Sequence, residues 1–150
     1  MTAIDQQKEE YFWNGIAFLI FAALCVISVA LISAFGSLDI ESLGFFDLAI
    51  LGLATLRLVH LVTYDKILDF VRSAVMDREG TRLKIADRGW RRMLCELLAC
   101  IWCTGMWSGL MLVKIYVLGS WGRFAIFVLA VAGLGSLLQI VSKAIAANDM

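Results

Sequence analysis

Residues 13–35 contain no charged side chain. As a helix rising 1.5 Å per residue, a run of that length crosses the roughly 30 Å hydrocarbon layer of a bilayer. A soluble chain of 150 residues could not hide it, because small domains leave much of their surface in water. The excess is general: 61% of the residues are hydrophobic, against about 45–50% in ordinary soluble domains. Lipid is the solvent for the remainder. Basic and acidic residues balance at 13 each, so no global positive field points to nucleic acid as a partner. There is no proline to end a helix, and four cysteines are too few for a secreted disulfide scaffold.

Residues 1–10 are polar and net acidic, with Asp5, Glu9 and Glu10 against Lys8. A secretory signal would start with a basic region, so the first run is read as an uncleaved span over residues 13–35. Tyr11, Phe12 and Trp13 form an aromatic collar at its start, and Ala30 and Ala34 give it a small-residue contact face. A connector holding Asp39 and Glu41 leads to a second span over residues 45–63, which carries Asp47, Arg57 and His60. The third covers residues 93–118, with Glu96 near its start and Lys114 near its end. A turn at residues 119–122 precedes the fourth, residues 124–146, where Ala132, Gly133, Gly135 and Ser136 suit close helix packing.

Residues 64–92 are the one long charged segment. Within them Ile67, Leu68, Val71, Ala74 and Val75 recur at helical spacing, opposite Asp65, Lys66, Asp69, Arg72 and Ser73. That pattern predicts an amphipathic helix lying in the membrane interface. Residues 78–89 read as loop, and Trp90 among Arg88, Arg91 and Arg92 reads as an interfacial anchor. The segment also holds Lys66, Arg72, Arg78, Arg82 and Lys84, whereas the first connector has no basic residue and the last turn only Arg123. The positive-inside rule therefore places the segment and both termini in the cytoplasm. The predicted fold is all-α: a polytopic membrane protein of one domain, residues 1–150, with four transmembrane helices and a cytoplasmic amphipathic interfacial helix.

Arg57, His60 and Tyr64 share one helix face. An ionisable group inside a span is a functional candidate with a partner to be named; for Arg57 that partner is Glu96, or else Asp65. The structural alternative is an ion pair locking two helices, and for His60 a hydrogen-bonded interface histidine. Asp47 and Lys114 read as solvated ends. Three readings compete for the run Cys100-Ile101-Trp102-Cys103-Thr104-Gly105-Met106-Trp107. The first is a thiol–disulfide couple of Cys100 and Cys103, with quinone near Trp102 and Arg57. Four-span disulfide-generating enzymes keep such pairs on the oxidising side, however, and this one is predicted on the reducing side. The second is zinc held by Cys95, Cys100, Cys103 and His60, against which stand the five-residue offset of Cys95 and the absence of a knuckle turn. The third, preferred here, is packing: small cysteines beside a Gly105–Gly109 ridge, with Trp102 one turn earlier. No cofactor and no metal ligand is predicted.

Residues 54–67, Ala54-Thr55-Leu56-Arg57-Leu58-Val59-His60-Leu61-Val62-Thr63-Tyr64-Asp65-Lys66-Ile67, then Arg72, together with the cysteine–tryptophan run, resemble the two signatures of the YjcA-like family. Its members are small bacterial and phage membrane proteins sharing a domain of unknown function. The match spans about residues 45–118. The family pattern usually has proline where Phe70 and Ile101 stand, so the second motif is expected to be more regularly helical here. The resemblance marks Arg57, Asp65, Arg72, Cys100, Trp102, Cys103 and Gly105, implies a bacterial inner (cytoplasmic) membrane, and implies no activity. The basic segment is expected to meet anionic lipid head groups, at about 1 kcal/mol per Lys or Arg. The expected function is a non-enzymatic accessory or scaffold subunit, or a homo-oligomer, working through helix contacts at Ala30, Ala34, Gly105, Gly109, Ala132 and Ser136. Its partners would be the bilayer and other membrane subunits or itself. The alternatives are a membrane thiol–disulfide oxidoreductase using Cys100 and Cys103, and a pore or holin-like protein lined by Arg57, His60 and Glu96.

Overall fold

The computed structural model describes residues 3–35, 43–79, 82–86 and 89–148. The connector carboxylates Asp39 and Glu41, and also Arg88, lie outside them. The described residues form helices α1 (Ala3–Phe35), α2 (Phe45–Thr63), α3 (Asp69–Val75), α4 (Gly89–Ala99), α5 (Ile101–Val117) and α6 (Ser120–Asn148). A single 3₁₀ turn, Lys66–Leu68, precedes α3, and strands β1 (Asp77–Glu79) and β2 (Arg82–Lys84) pair antiparallel. Three helices are long and apolar enough to cross a membrane: α1, α2 and α6. The bent pair of α4 and α5 makes a fourth candidate.

Four sequence expectations are corrected. First, α1 begins at Ala3 rather than near residue 13, and its 33 residues extend about 50 Å. Asp5 lies in its first turn, where a carboxylate opposes the helix dipole favourably. Second, within residues 78–89, expected to be loop, residues 82–84 and the end of 77–79 form two short antiparallel paired strands. Their register sets Asp77 opposite Lys84, Arg78 opposite Leu83 and Glu79 opposite Arg82. Strands of three residues are too short to show a period. Third, the helix expected over residues 93–118 is two helices meeting at 89°. Fourth, the last turn is shorter than expected. Gly119 takes φ 92°, the left-handed conformation that ends a helix cheaply, and α6 starts at Ser120.

The chain divides into two compact units, one of Met1–Ala34 with Leu61–Thr104, the other of Phe35–His60 with Gly105–Met150. In the second unit Ala54, Leu112, Ile126 and Ala130 form a buried cluster flanked by Ile50, Leu53, Leu58, Ile115 and Leu129. The inward stripe of α6 runs Gly122, Ile126, Ala130, Gly133. A Cβ on Gly133 would collide with the Leu53 carbonyl, and one on Gly122 with the Ile115 carbonyl. At those two points backbone meets backbone, which only glycine permits. Ala132, expected in this contact, is exposed one position off the stripe.

Candidate functional site

Two features organise the first unit: a corner at Cys100 and a set of arginines closing helix ends. At the corner Cys100 belongs to both helices. Its N–H donates to the Glu96 carbonyl (2.9 Å), and its own carbonyl accepts from the Thr104 N–H (2.9 Å). Its sulfur accepts the Cys103 N–H at 3.3 Å. That is the contact an N-cap side chain makes to the third helical residue, relieving an amide that the helix leaves unpaired. From the other side, the Thr104 hydroxyl donates to the Leu97 carbonyl at 2.8 Å, one of the last carbonyls of α4. Thr104 is 4% exposed. A side chain thus serves one otherwise unpaired group at each helix end, and the bend contains neither proline nor glycine. Ile101 is the first residue of α5, the helical position where proline is best tolerated. The expectation of a more regular helix is therefore overturned, because the turn persists with isoleucine there. Apolarity alone cannot reveal it, since both arms of the corner read as one hydrophobic run.

The arginines follow the same logic. α2 ends at Thr63 and leaves carbonyls without intrahelical donors. Arg72 reaches back to them, donating to Val62 O at 2.8 Å and Asp65 O at 2.7 Å, with Asp69 beside it at 3.5 Å. A cation at a helix C-terminus is favourable, and the guanidinium fork can serve two carbonyls at once. Arg72 is 8% exposed, although the sequence pattern had set it on the solvent face of α3. The outward face carries Ile67 and Phe70, both 70% exposed, with Val71 and Ala74. At the end of α3, Val75 O accepts from Arg91 at 3.1 Å and from the Cys95 thiol at 3.4 Å. Arg92 bridges Glu10 of α1 (2.6 Å) and Glu96 (2.9 Å).

The other marked residues distribute as follows. Asp65 gives Arg72 its backbone carbonyl. Trp102 is 81% exposed. In the second unit Arg57 is half-buried and donates to Ser136 Oγ at 3.3 Å, while the Ser136 hydroxyl donates to Ala132 O at 2.9 Å. His60 is half-buried one turn along the same helix. Gly105 and Gly109 do not mediate close approach within the chain. A Cβ on Gly105 would meet only Val59 at 3.9 Å, and one on Gly109 nothing within 4 Å. The residues α5 buries are Thr104, Ser108 and Leu112, one position off that ridge. Ala30 and Ala34 are exposed, whereas Ser28 on the same helix is buried. Cys95 is 0% exposed, and among the described residues no three His, Cys, Asp or Glu side chains converge as a metal cluster would.

Sequence reasoning missed a second polar cluster. Asp47 accepts the Tyr116 hydroxyl at 2.7 Å and the Gly44 N–H at 3.0 Å, and Arg123 lies 5.0 Å from the Tyr116 ring centroid. Asp47 is thus a cap and a tie between helices rather than a solvated end. Its place three residues after Gly44 is the half capping-box signal that could have shown it.

Residues 50–142 match the family described as "Protein of unknown function (DUF1360)". The chain belongs to that family. Among curated relatives, it is 34% identical over 107 residues to "Sporulation protein YjcA" of Bacillus subtilis (strain 168), covering 64% of this chain and 91% of that one. It is 30% identical over 110 residues to "UPF0713 protein YngL" of the same organism, covering 66% and 80%. No solved structure matches. The DUF1360 segment takes in the corner and Arg72, Arg91 and Arg92, and leaves α1 outside, so the Glu10 partner of Arg92 is not part of it.

Proposed function

We propose that this protein is a small integral protein of a bacterial cytoplasmic membrane, with both termini cytoplasmic, and that it acts as a non-enzymatic accessory or scaffold subunit through helix contacts. The observation that carries this is α1. Phe18, Leu19, Val26 and Val29 are 64–69% exposed along it, a face that only lipid or another helix can cover. Ala30 and Ala34 are exposed at its far end, and small residues are what membrane helices use for close approach. The outward apolar stripe of α3, which starts six residues after the end of α2, fits an interfacial position beside anionic head groups. The test is native mass in a gentle detergent. Ala34→Leu and Gly109→Leu each have room within the chain, so both should keep the fold and lower the mass of the assembly. An unchanged mass would sink the scaffold reading.

A second reading, a thiol–disulfide oxidoreductase, is favoured by one observation: Cys100 opens a helix instead of lying inside one. Oxidation would join the two sulfurs and pass two electrons and two protons to a quinone, giving quinol. If neither thiol can be alkylated in native membranes, and double serine replacement changes nothing, that reading fails.

A further inference from the structure

The corner presents two free thiols, Cys100 and Cys103, one turn apart. The Cys103 N–H donates to Cys100 Sγ at 3.3 Å, and residues three apart are neighbours on a helix surface, so both sulfurs lie within reach of one small ion. The backbone around them is tied on both sides, by the Cys100 N–H on Glu96 O and by the Thr104 hydroxyl on Leu97 O. Cys103 is exposed and Cys100 half-buried, so an ion has access without unfolding. We propose that Cys100 and Cys103 form a two-sulfur site for a soft monovalent metal ion, copper(I) above all.

Ligand number and softness select the ion. Structural zinc takes four ligands, and calcium and magnesium take six or more, mostly oxygen. Among the described residues no third His, Cys, Asp or Glu joins the pair, and the Cys95 thiol is buried on Val75 O. Copper(I) is content with two thiolates, and thiolate softness selects it over hard cations. Charge balance agrees. Two thiolates and one copper(I) carry a net charge of −1, which the N-terminus of α5 offsets with its unpaired amides. One such amide, that of Cys103, already points at Cys100 Sγ at 3.3 Å. On binding, two S–H bonds give way to two S–Cu bonds, two protons go to water, and copper remains copper(I). The site shares its thiols with the oxidoreductase reading but needs no electron transfer.

The test uses the full chain in detergent, anaerobic and reduced, with copper(I) offered from a coloured competing chelator. One copper per chain, a thiolate-to-copper absorption in the ultraviolet and release of two protons are expected. Cys100→Ser and Cys103→Ser should each weaken binding by more than the roughly 10–100-fold that loss of an outer hydrogen-bond partner costs a metal site. Cys25→Ser and Cys95→Ser should leave it unchanged. Equal uptake by the Cys100→Ser/Cys103→Ser double variant overturns the proposal. So does no uptake by a chain whose Cys103 still alkylates, or preference for zinc offered in parallel. Disulfide formation is read separately, as the mass of two hydrogens. Copper binding without oxidation retains this inference and removes the oxidoreductase reading, and oxidation without copper binding does the reverse.

Discussion

Among the described residues, the buried side chains in the unit of Phe35–His60 and Gly105–Met150 are Ala54, Leu112, Ile126 and Ala130, with Ser108 as the polar member. In the unit of Met1–Ala34 and Leu61–Thr104, they are Ser28, Arg72, Ala86, Cys95 and Thr104. The contrast follows from where helices stop. The buried cluster of the apolar unit lies within α2, α5 and α6, where backbone carbonyls are paired inside the helices, so cohesion there comes from close backbone approach and dispersion. The polar unit contains the ends of α2, α3 and α4, and each end leaves carbonyls that must find donors. Arginine, cysteine and threonine side chains supply them.

Four substitutions would break or sharpen that contrast, in falling order of effect. Gly133→Leu places a side chain against the Leu53 backbone, which cannot swing aside. Overpacking typically costs about 1–3 kcal/mol and occasionally more, and the upper end is expected, measured as lost unfolding stability in detergent. A neutral result would show that α2 and α6 separate freely. Arg72→Met removes the donors to Val62 O and Asp65 O and should cost about 2–3 kcal/mol, since bonds to charged groups are worth roughly 1.5–3 kcal/mol each and water repairs part of the loss. Arg72→Lys should recover only part, lacking the fork, and limited proteolysis between residues 64 and 76 would report the loosening. Thr104→Val keeps the shape and deletes the bond to Leu97 O, at about 1 kcal/mol. Faster alkylation of Cys103 should accompany it, while Thr104→Ser should not differ from the parent. Arg92→Gln comes last. The Arg92 and Glu10 side chains are each about one-third exposed, and such pairs contribute about 0–1 kcal/mol. A double-mutant cycle with Glu10→Gln should show a coupling that shrinks as salt rises.

The long helices could be read from residue type alone. α2 matches its expected bounds, Phe45–Thr63, because nineteen residues of that hydropathy can satisfy their backbone only as helix. The start of α1 was less legible, as polar residues 3–12 carry no hydropathy signal although they are helical. The Cys100 bend was illegible because hydropathy reports the solvent of a side chain and not the direction of its backbone. The Gly105–Gly109 and Ala30–Ala34 ridges were read as contacts from their spacing. Spacing states which residues share a face, but which face is turned inward depends on the neighbours: Ala30 and Ala34 are exposed, and Gly105 and Gly109 half-buried beside the buried Thr104 and Ser108.

What residue type and order determined by themselves is the helical content and the approximate lengths of the helices long and apolar enough to cross a membrane, because an unpaired peptide group is costly to bury away from water. What only the tertiary structure decided is the fate of the polar groups that those helices do not satisfy internally. Arg72 is inward rather than solvated because α2 stops nine residues before it and its carbonyls lie within reach. Cys100 is a corner rather than a ridge because Thr104 finds the Leu97 carbonyl. Asp47 is a tie because Tyr116 arrives from a helix 69 residues away. Each outcome depends on a distance between groups remote in sequence, and local pattern holds no record of such distances.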